Sequence, residues 1–342
     1  MKVGIIGCGK IAQTRHLPEY AANPKVEMAG YYDFNKNRAE KIAKEYGGRA
    51  YTSVEELLAD QEIEAVSVCV ANNAHAEISL KALRAGKHVL CEKPMATSLE
   101  DCEAMVEAAK ENNLYLMIGQ NQRLIKAHQK AKELIQHGEI GKVLSFRSTF
   151  GHSGPETWSI DPGLNTWFFD KTRAAMGAMA DLGVHKTDLI QFLLDTTVVE
   201  VRAMLTTLDK KDAAGEIIGV DDNAICIYRM ANGVIGTMTA SWTYYGPEDN
   251  STVIYGTEGI MHIFDNPDYS IEIYKRDGDH LCYDIGKIQT NDNQTSSGII
   301  DAFVEALAEH REPEISGTSV LSAMKAVFAS IESSESGKAV LI

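Results

Sequence analysis

Short, near-continuous apolar runs recur through the first third of the chain, separated by stretches whose apolar positions repeat at helical spacing. The runs Val3–Ile6, Val26–Tyr32, Ala65–Val70, His88–Cys91 and Leu114–Ile118 predict strands. Helices are predicted to about Arg15, where Pro18 soon interrupts, then over Asn37–Tyr46, Val54–Leu58, His75–Ala85 and from a Ser98 cap to Asn112. Ser53 with Glu56 forms a capping box, and Gly86 sits where a helix-ending glycine belongs. Strands apolar on both faces and alternating with helices predict a buried, doubly wound parallel sheet.

The pattern changes after about residue 120. A helix over Ala127–Gln136 leads into a strand over Val143–Phe150, and residues 151–176 then carry Gly, Pro, Trp and Asp without a period. So long an irregular stretch is expected to be a functional loop. A helix follows over Leu182–Leu194, then strands over Val198–Thr207, Asn223–Met230, Val234–Trp242, Ser251–Tyr255, Ile260–Phe264 and Ser270–Tyr274. Asn232-Gly233 marks a hairpin, and helices over Ile299–Glu309 and Ser319–Ser333 finish the pattern. The expectation is an α/β domain over 1–120 and an α+β domain over 121–342, the latter a mostly antiparallel open sheet with helices on one face.

A length of 342 residues accommodates two such domains. The formal charge of −15 disfavours nucleic acid and anionic membranes as partners. No apolar run reaches the ~18–20 residues of a membrane span, and Met1-Lys2 opens a run too short for a signal peptide. Six scattered cysteines without a Cys-x-x-Cys pair suggest reduced, cytoplasmic thiols. Ten histidines without a His-x-x-x-His pair, and no cysteine cluster, give no expectation of a metal.

Gly7-Cys8-Gly9-Lys10-Ile11-Ala12 is G-x-G-x-x-A, set between a predicted strand and a predicted helix. The first glycine permits the tight turn, the second lets a pyrophosphate approach the backbone, and the small Ala12 lets the helix lie close. Asp33 ends the second strand, where an acid would hold ribose hydroxyls. The whole turn with Asp33 therefore predicts dinucleotide binding on a Rossmann-type sheet. The carboxylate favours NAD, while Lys36 and Arg38 keep NADP open.

Glu92-Lys93-Pro94 follows a strand and so lies at the carboxyl edge of the sheet, where ligands of such sheets bind. Taken alone, Lys93 reads equally as a snorkelling surface residue. Asp181 and His185, four apart on a helix, share a face, and Asp188 falls on the same face as an orienter of the ring. Such a pair suits proton acceptance from an alcohol, although a helix cap with a satisfied histidine has the same spacing.

The ordered set of the Gly7–Ala12 turn, Glu92-Lys93-Pro94, Asn121-Gln122-Arg123, Gly138–Lys142 and Gly177–His185 spans the chain. It resembles the glucose–fructose oxidoreductase, inositol dehydrogenase and MocA family of NAD(P)-dependent oxidoreductases. The resemblance implies that Lys93, Asp181 and His185 are catalytic, with Lys93 on the reacting hydroxyl and His185 taking its proton. It also implies cofactor contacts from Ala71, Asn72, His75, Glu92, Lys93, Gln120 and Asn121, and substrate contacts from Lys93, Arg123, His152, Trp167, Asp181 and His185. Ala71-Asn72-Asn73 departs from the Thr-Pro-Asn of many members, while His75 matches them.

The implied reaction is hydride transfer between NAD, or NADP, and a secondary alcohol of a sugar, polyol or inositol. Trp158, Asn165, Trp242, Tyr244 and Tyr245 stand where they could meet a sugar or simply pack. An NAD-dependent glycoside hydrolase and a non-catalytic ligand sensor are the alternatives, and the full Lys93, Asp181 and His185 set disfavours the sensor. In 223–230, Ala224, Cys226 and Tyr228 alternate with Ile225 and Ile227, apolar on both faces, so a homodimer or homotetramer packed through the open sheet face is expected.

Overall fold

The computed structural model describes residues 1–288 and 296–342. The chain forms two compact units, Met1–Asn121 with Gln294–Leu321, and Gln122–Asn293 with Ser322–Ile342. The return of the 296–321 segment to the first unit differs from the expected assignment of all of 121–342 to the second. The physical reason is pairing: Ile118 N–H donates to Ile315 O at 2.9 Å, and Ser297 N–H donates to Glu19 at 2.7 Å.

The first unit is built on six strands, β1 Lys2–Ile6, β2 Glu27–Tyr32, β3 Arg49–Ala50, β4 Ala65–Val68, β5 His88–Cys91 and β6 Leu116–Ile118. Their spatial order is β3-β2-β1-β4-β5-β6 and all neighbours are parallel. The order reverses between β1 and β4, so the turn after β1 opens at the topological switch point. Helices fill the connections as predicted, with Ser53 and Ser98 each accepting from the backbone N–H three residues on. Pro18 does not interrupt its helix. A π-turn over Ala12–His16 runs into a helix over Leu17–Ala22, and Pro18 falls in the first turn of that helix, where a missing N–H costs little.

The second unit carries a nine-stranded sheet. Its strands are β7 Val143–Gly151, β8 Val198–Thr206, β9 Asn223–Met230, β10 Ile235–Ser241, β11 Thr252–Gly256, β12 Gly259–Ile263, β13 Ile271–Lys275, β14 His280–Tyr283 and β15 Val340–Leu341. The order is β14-β13-β12-β11-β7-β10-β9-β8-β15, and only the β7–β10 pair is parallel. Strands β14 and β15 were not legible as strands, being short and partly polar. One face is covered by helices, where the Tyr228 hydroxyl meets Thr187 at 3.0 Å and Ser330 at 3.3 Å. On the other face Met204, Ile225, Ile227 and Ile235 are 68, 55, 52 and 51% exposed, apolar side chains on one side of three neighbouring strands, with Met204 directly opposite Ile225. No helix among the described residues is long and apolar enough to cross a membrane.

Candidate active site

Functional side chains gather in each unit. In the first, Gly7 closes β1 at φ +92°, and a Cβ there would stand 2.6 Å from the Cys69 backbone. No other residue type fits that position. Gly9 differs, because a Cβ there would meet nothing within 4 Å. That open space over a glycine, followed by helical N–H groups, fits a pyrophosphate. Asp33 also shapes the turn: Cys8 N–H and Asn35 N–H each donate to it at 2.7 Å, and Arg38 lies 3.5 Å away. Lys36 instead pairs with Glu40. Burial and the Asp33 charge push the Cys8 thiol up to about 12, so it stays protonated and packs as a small apolar group.

Glu92 is buried and held by several neighbours. Burial favours its neutral form, yet His16, Arg15 and Lys93 outweigh that and hold the carboxyl down at about 2. His16 Nε2 meets it at 2.8 Å and Arg15 lies at 3.7 Å. The second nitrogen of His16 meets Ser67, whose hydroxyl meets Tyr20 at 2.8 Å. Gly119 leaves room for this carboxylate, since a Cβ there would press on it at 3.0 Å. The half-buried Lys93 follows directly, its backbone N–H donating to Glu92 at 3.3 Å.

His75 Nδ1 meets Pro94 O at 2.7 Å, and its Nε2 lies 3.2 Å from Val70 O. Burial lowers its pKa, and a neutral ring, with a single N–H, donates to only one of these two carbonyls. Asn72 and Asn121 are buried, and Ala71 is half-buried. Gln120 is wholly buried at the end of β6, and neither atom of its amide has a protein partner. An orphaned amide at the carboxyl edge of the sheet suits a ligand with both donors and acceptors, as a nicotinamide carboxamide has.

In the second unit, Asp181 lies in a π-turn over Met179–Gly183, and His185 lies in the first turn of the helix Val184–Leu194 that continues it. Each unit thus includes a π-turn among these residues, a local widening that recurs at functional positions. Asp181 accepts from Trp242 Nε1 at 3.0 Å, and His152 Nε2 stands 3.7 Å from the same oxygen. Because His152 Nδ1 accepts from Gly154 N–H, the neutral ring carries its proton on the nitrogen facing Asp181. His185 is buried beside Phe150, with ring centroids 6.2 Å apart. Trp167 stacks on Phe168 at 3.9 Å, and Trp158 and Trp242 meet the edges of the same ring.

Asp188 does not orient the His185 ring as expected. Arg123 grips it through Nε at 2.7 Å and a second nitrogen at 2.5 Å, so both carboxylate oxygens are engaged. Burial pushes Asp188 up, although the Arg123 charge opposes it. Two further residues escaped the sequence reading. Lys186 is fully buried and donates to Asn250 O at 2.9 Å, and burial brings its pKa down to about 7. Asp221, just before β9, accepts from Gly177 N–H and Met179 N–H, each at 2.8 Å, while its carbonyl accepts from Ala178 N–H. It therefore caps the segment that carries Asp181 and His185, and an Asp-Asp pair ahead of a strand was its only local signal.

A glycine turn at a switch point, an acid at the second strand end, a half-buried Lys and buried Asp and His groups are those of a dinucleotide-dependent oxidoreductase. The family comparisons agree. Residues 1–120 match the oxidoreductase family with NAD-binding Rossmann fold, and residues 128–262 match the GFO/IDH/MocA C-terminal domain. The chain belongs to the GFO/IDH/MocA oxidoreductase family.

Among its relatives is the levoglucosan dehydrogenase of Pseudarthrobacter phenanthrenivorans, 32% identical over 76% of this chain and 73% of that one. The myo-inositol 2-dehydrogenase of Thermotoga maritima is 28% identical over 76% and 74%. A levoglucosan dehydrogenase solved with NADH and levoglucosan superposes with a TM-score of 0.86, covering 100% of this chain and 99% of that one at 26% identity.

Proposed function

We propose that this protein oxidises a secondary alcohol of a neutral sugar or cyclitol with NAD, or runs the reverse reduction. The observation that carries the reading is the joint presence of a buried Glu92–His16 clamp before Lys93 and a capped helix bearing Asp181 and His185. The relatives named for levoglucosan and myo-inositol support the substrate class.

Bound in the glycine turn, NAD supplies the hydride acceptor. Gly9, Asp33 and Gln120 would hold its pyrophosphate, ribose and carboxamide. Lys93 donates a hydrogen bond to the substrate hydroxyl and stabilises the negative charge that grows as the O–H proton leaves. His185 accepts that proton at its imidazole. Asp181 favours the imidazolium, while Trp242 and His152 fix the carboxylate in place. The hydroxyl O–H proton goes to His185, the C–H hydride leaves the carbon that bears that oxygen for the nicotinamide that would be bound there, and a ketone remains. The Asp33 carboxylate repels a 2′-phosphate, so NAD is preferred over NADP, with Arg38 the residue that admits some NADP.

The exposed stripe of Met204, Ile225, Ile227 and Ile235 supports self-association through the open sheet face. Free thiols at all six cysteines fit a reducing compartment such as the cytoplasm.

The test is a panel of sugars, anhydrosugars and inositols offered with NAD and NADP, read as absorbance of the reduced cofactor. NADH formation with at least one of them, abolished in His185→Ala, is the expected result. Folded protein that binds NAD yet reduces it with no member of the panel would refute the reading.

A further inference from the structure

Strands β13 and β14 bring together three side chains that the chemistry above does not use. Glu272 and Cys282 are direct cross-strand partners, and His280 stands two residues before Cys282. Residues two apart on a strand share a face, and cross-strand partners share it too, so all three project to the same side of the sheet. His280 Nε2 lies 3.2 Å from a Glu272 oxygen and 3.4 Å from Cys282 Sγ. The three ligand atoms lie within 4.8 Å of one another, and among the described residues this is the one group of its kind.

We propose that Glu272, His280 and Cys282 form a binding site for a borderline-soft divalent cation, zinc above all. Ligand atoms held by one tetrahedral zinc at ~2.0–2.3 Å stand about 3.3–3.6 Å apart, close to the two separations seen here. The donor set is one thiolate, one imidazole and one carboxylate, which suits zinc and excludes calcium and magnesium. Two exposed ligands leave a fourth position open to water.

The surroundings hold the donors in place. The Tyr274 ring stacks on His280, with centroids 4.3 Å apart and planes 11° from parallel, which fixes the imidazole plane. Glu272 is buried; its second oxygen accepts from Asn266 at 2.7 Å, and the Tyr274 hydroxyl lies 3.3 Å from the first. Such outer contacts orient ligands and are normally needed for tight binding.

A cation here ties β14, at the edge of the sheet, to β13. A short edge hairpin is weakly held by its own hydrogen bonds, so the physical consequence is a local staple. No sequence motif signals this group, because Glu272 is separated from His280 and Cys282 by a turn and matches no metal-ligand spacing. None of the three belongs to the proposed oxidoreductase machinery, so the inference stands or falls apart from it.

The experiment uses the untagged, reduced, chelator-stripped full chain titrated with Co2+ and then with Zn2+. One equivalent of Co2+ should bind with a thiolate-to-cobalt charge-transfer band in the near ultraviolet, and Zn2+ should displace it. Cys282→Ser should lose the band, and His280→Ala should weaken Zn2+ binding by about tenfold or more, both with unchanged circular dichroism. Absence of the band in folded wild-type protein would overturn the proposal. So would a band that survives Cys282→Ser, or Zn2+ affinity indifferent to His280→Ala.

Discussion

Glu92 shows how a single side chain can be fixed by its neighbours. Its carboxyl is held at about 2 in the fold against an ordinary value near 4.3, so the unfolded chain binds this proton more readily. The ionised group therefore stabilises the fold above about pH 4, and that contribution disappears as pH falls towards 2. The difference is on the order of 3 kcal/mol. Urea unfolding followed from pH 6 down to pH 2.5 should show the loss, and Glu92→Gln should flatten it. The same variant should lower turnover about 10–100-fold through a misplaced Lys93, with NAD affinity nearly unchanged. Substitution at the chemistry itself should cost more. Lys93→Met and His185→Ala should each reduce kcat by roughly 10²–10⁴ in steady-state assays while NAD still binds by fluorescence titration. The residue types and order at these positions were legible in the sequence. The clamp of His16 and Arg15 on Glu92, with Ser67 behind His16, was not, because those partners come from the Ala12–His16 turn and from β4, distant in sequence.

At the scale of elements, the segment from Gly177 through Leu194 carries Asp181 and His185, proposed to handle the proton, and Asp221 holds its beginning. A Cβ on Gly177 would collide with Asp221 O at 1.8 Å, so this close approach demands glycine. Asp221→Ala removes two charge-assisted hydrogen bonds, each contributing about 1.5–3 kcal/mol. The expected outcome is a lowered Tm together with a several-fold loss of kcat and an intact NAD affinity, by calorimetry and kinetics on one preparation. Burial raises the Asp221 carboxyl to about 6, and the two backbone donors only partly oppose this. Its folded value lies above its unfolded one, so the stability it contributes is complete below about pH 4 and is lost as pH rises through 6. Helix and strand limits followed from apolar periodicity and caps, as at Ser53 and Ser98. The π-turns at Ala12–His16 and Met179–Gly183 did not, since a one-residue widening of a helix leaves the apolar pattern almost unaltered.

At the scale of the whole molecule, each unit has its own sheet, and the second leaves one sheet face bare. Alternation in β9 places Ala224, Cys226 and Tyr228 against helices and Ile225 and Ile227 in solvent. A stripe of this kind is the expected seat of another copy. Light scattering at micromolar concentration should give a multiple of the 37.5 kDa chain mass. Ile227→Asp, which buries an unpaired charge on association, should shift it to the monomer.

By itself the sequence determined the two sheet classes and the glycine turn, because each is written in local spacing or in residue type. Tertiary structure alone decided which hydrogen-bond partner each buried group meets: Arg123 takes Asp188, Trp242 takes Asp181, His16 takes Glu92 and Lys186 takes the Asn250 carbonyl. Pairings across tens of residues are selected by burial, which makes an unmatched charge costly, and burial exists only once the chain has folded.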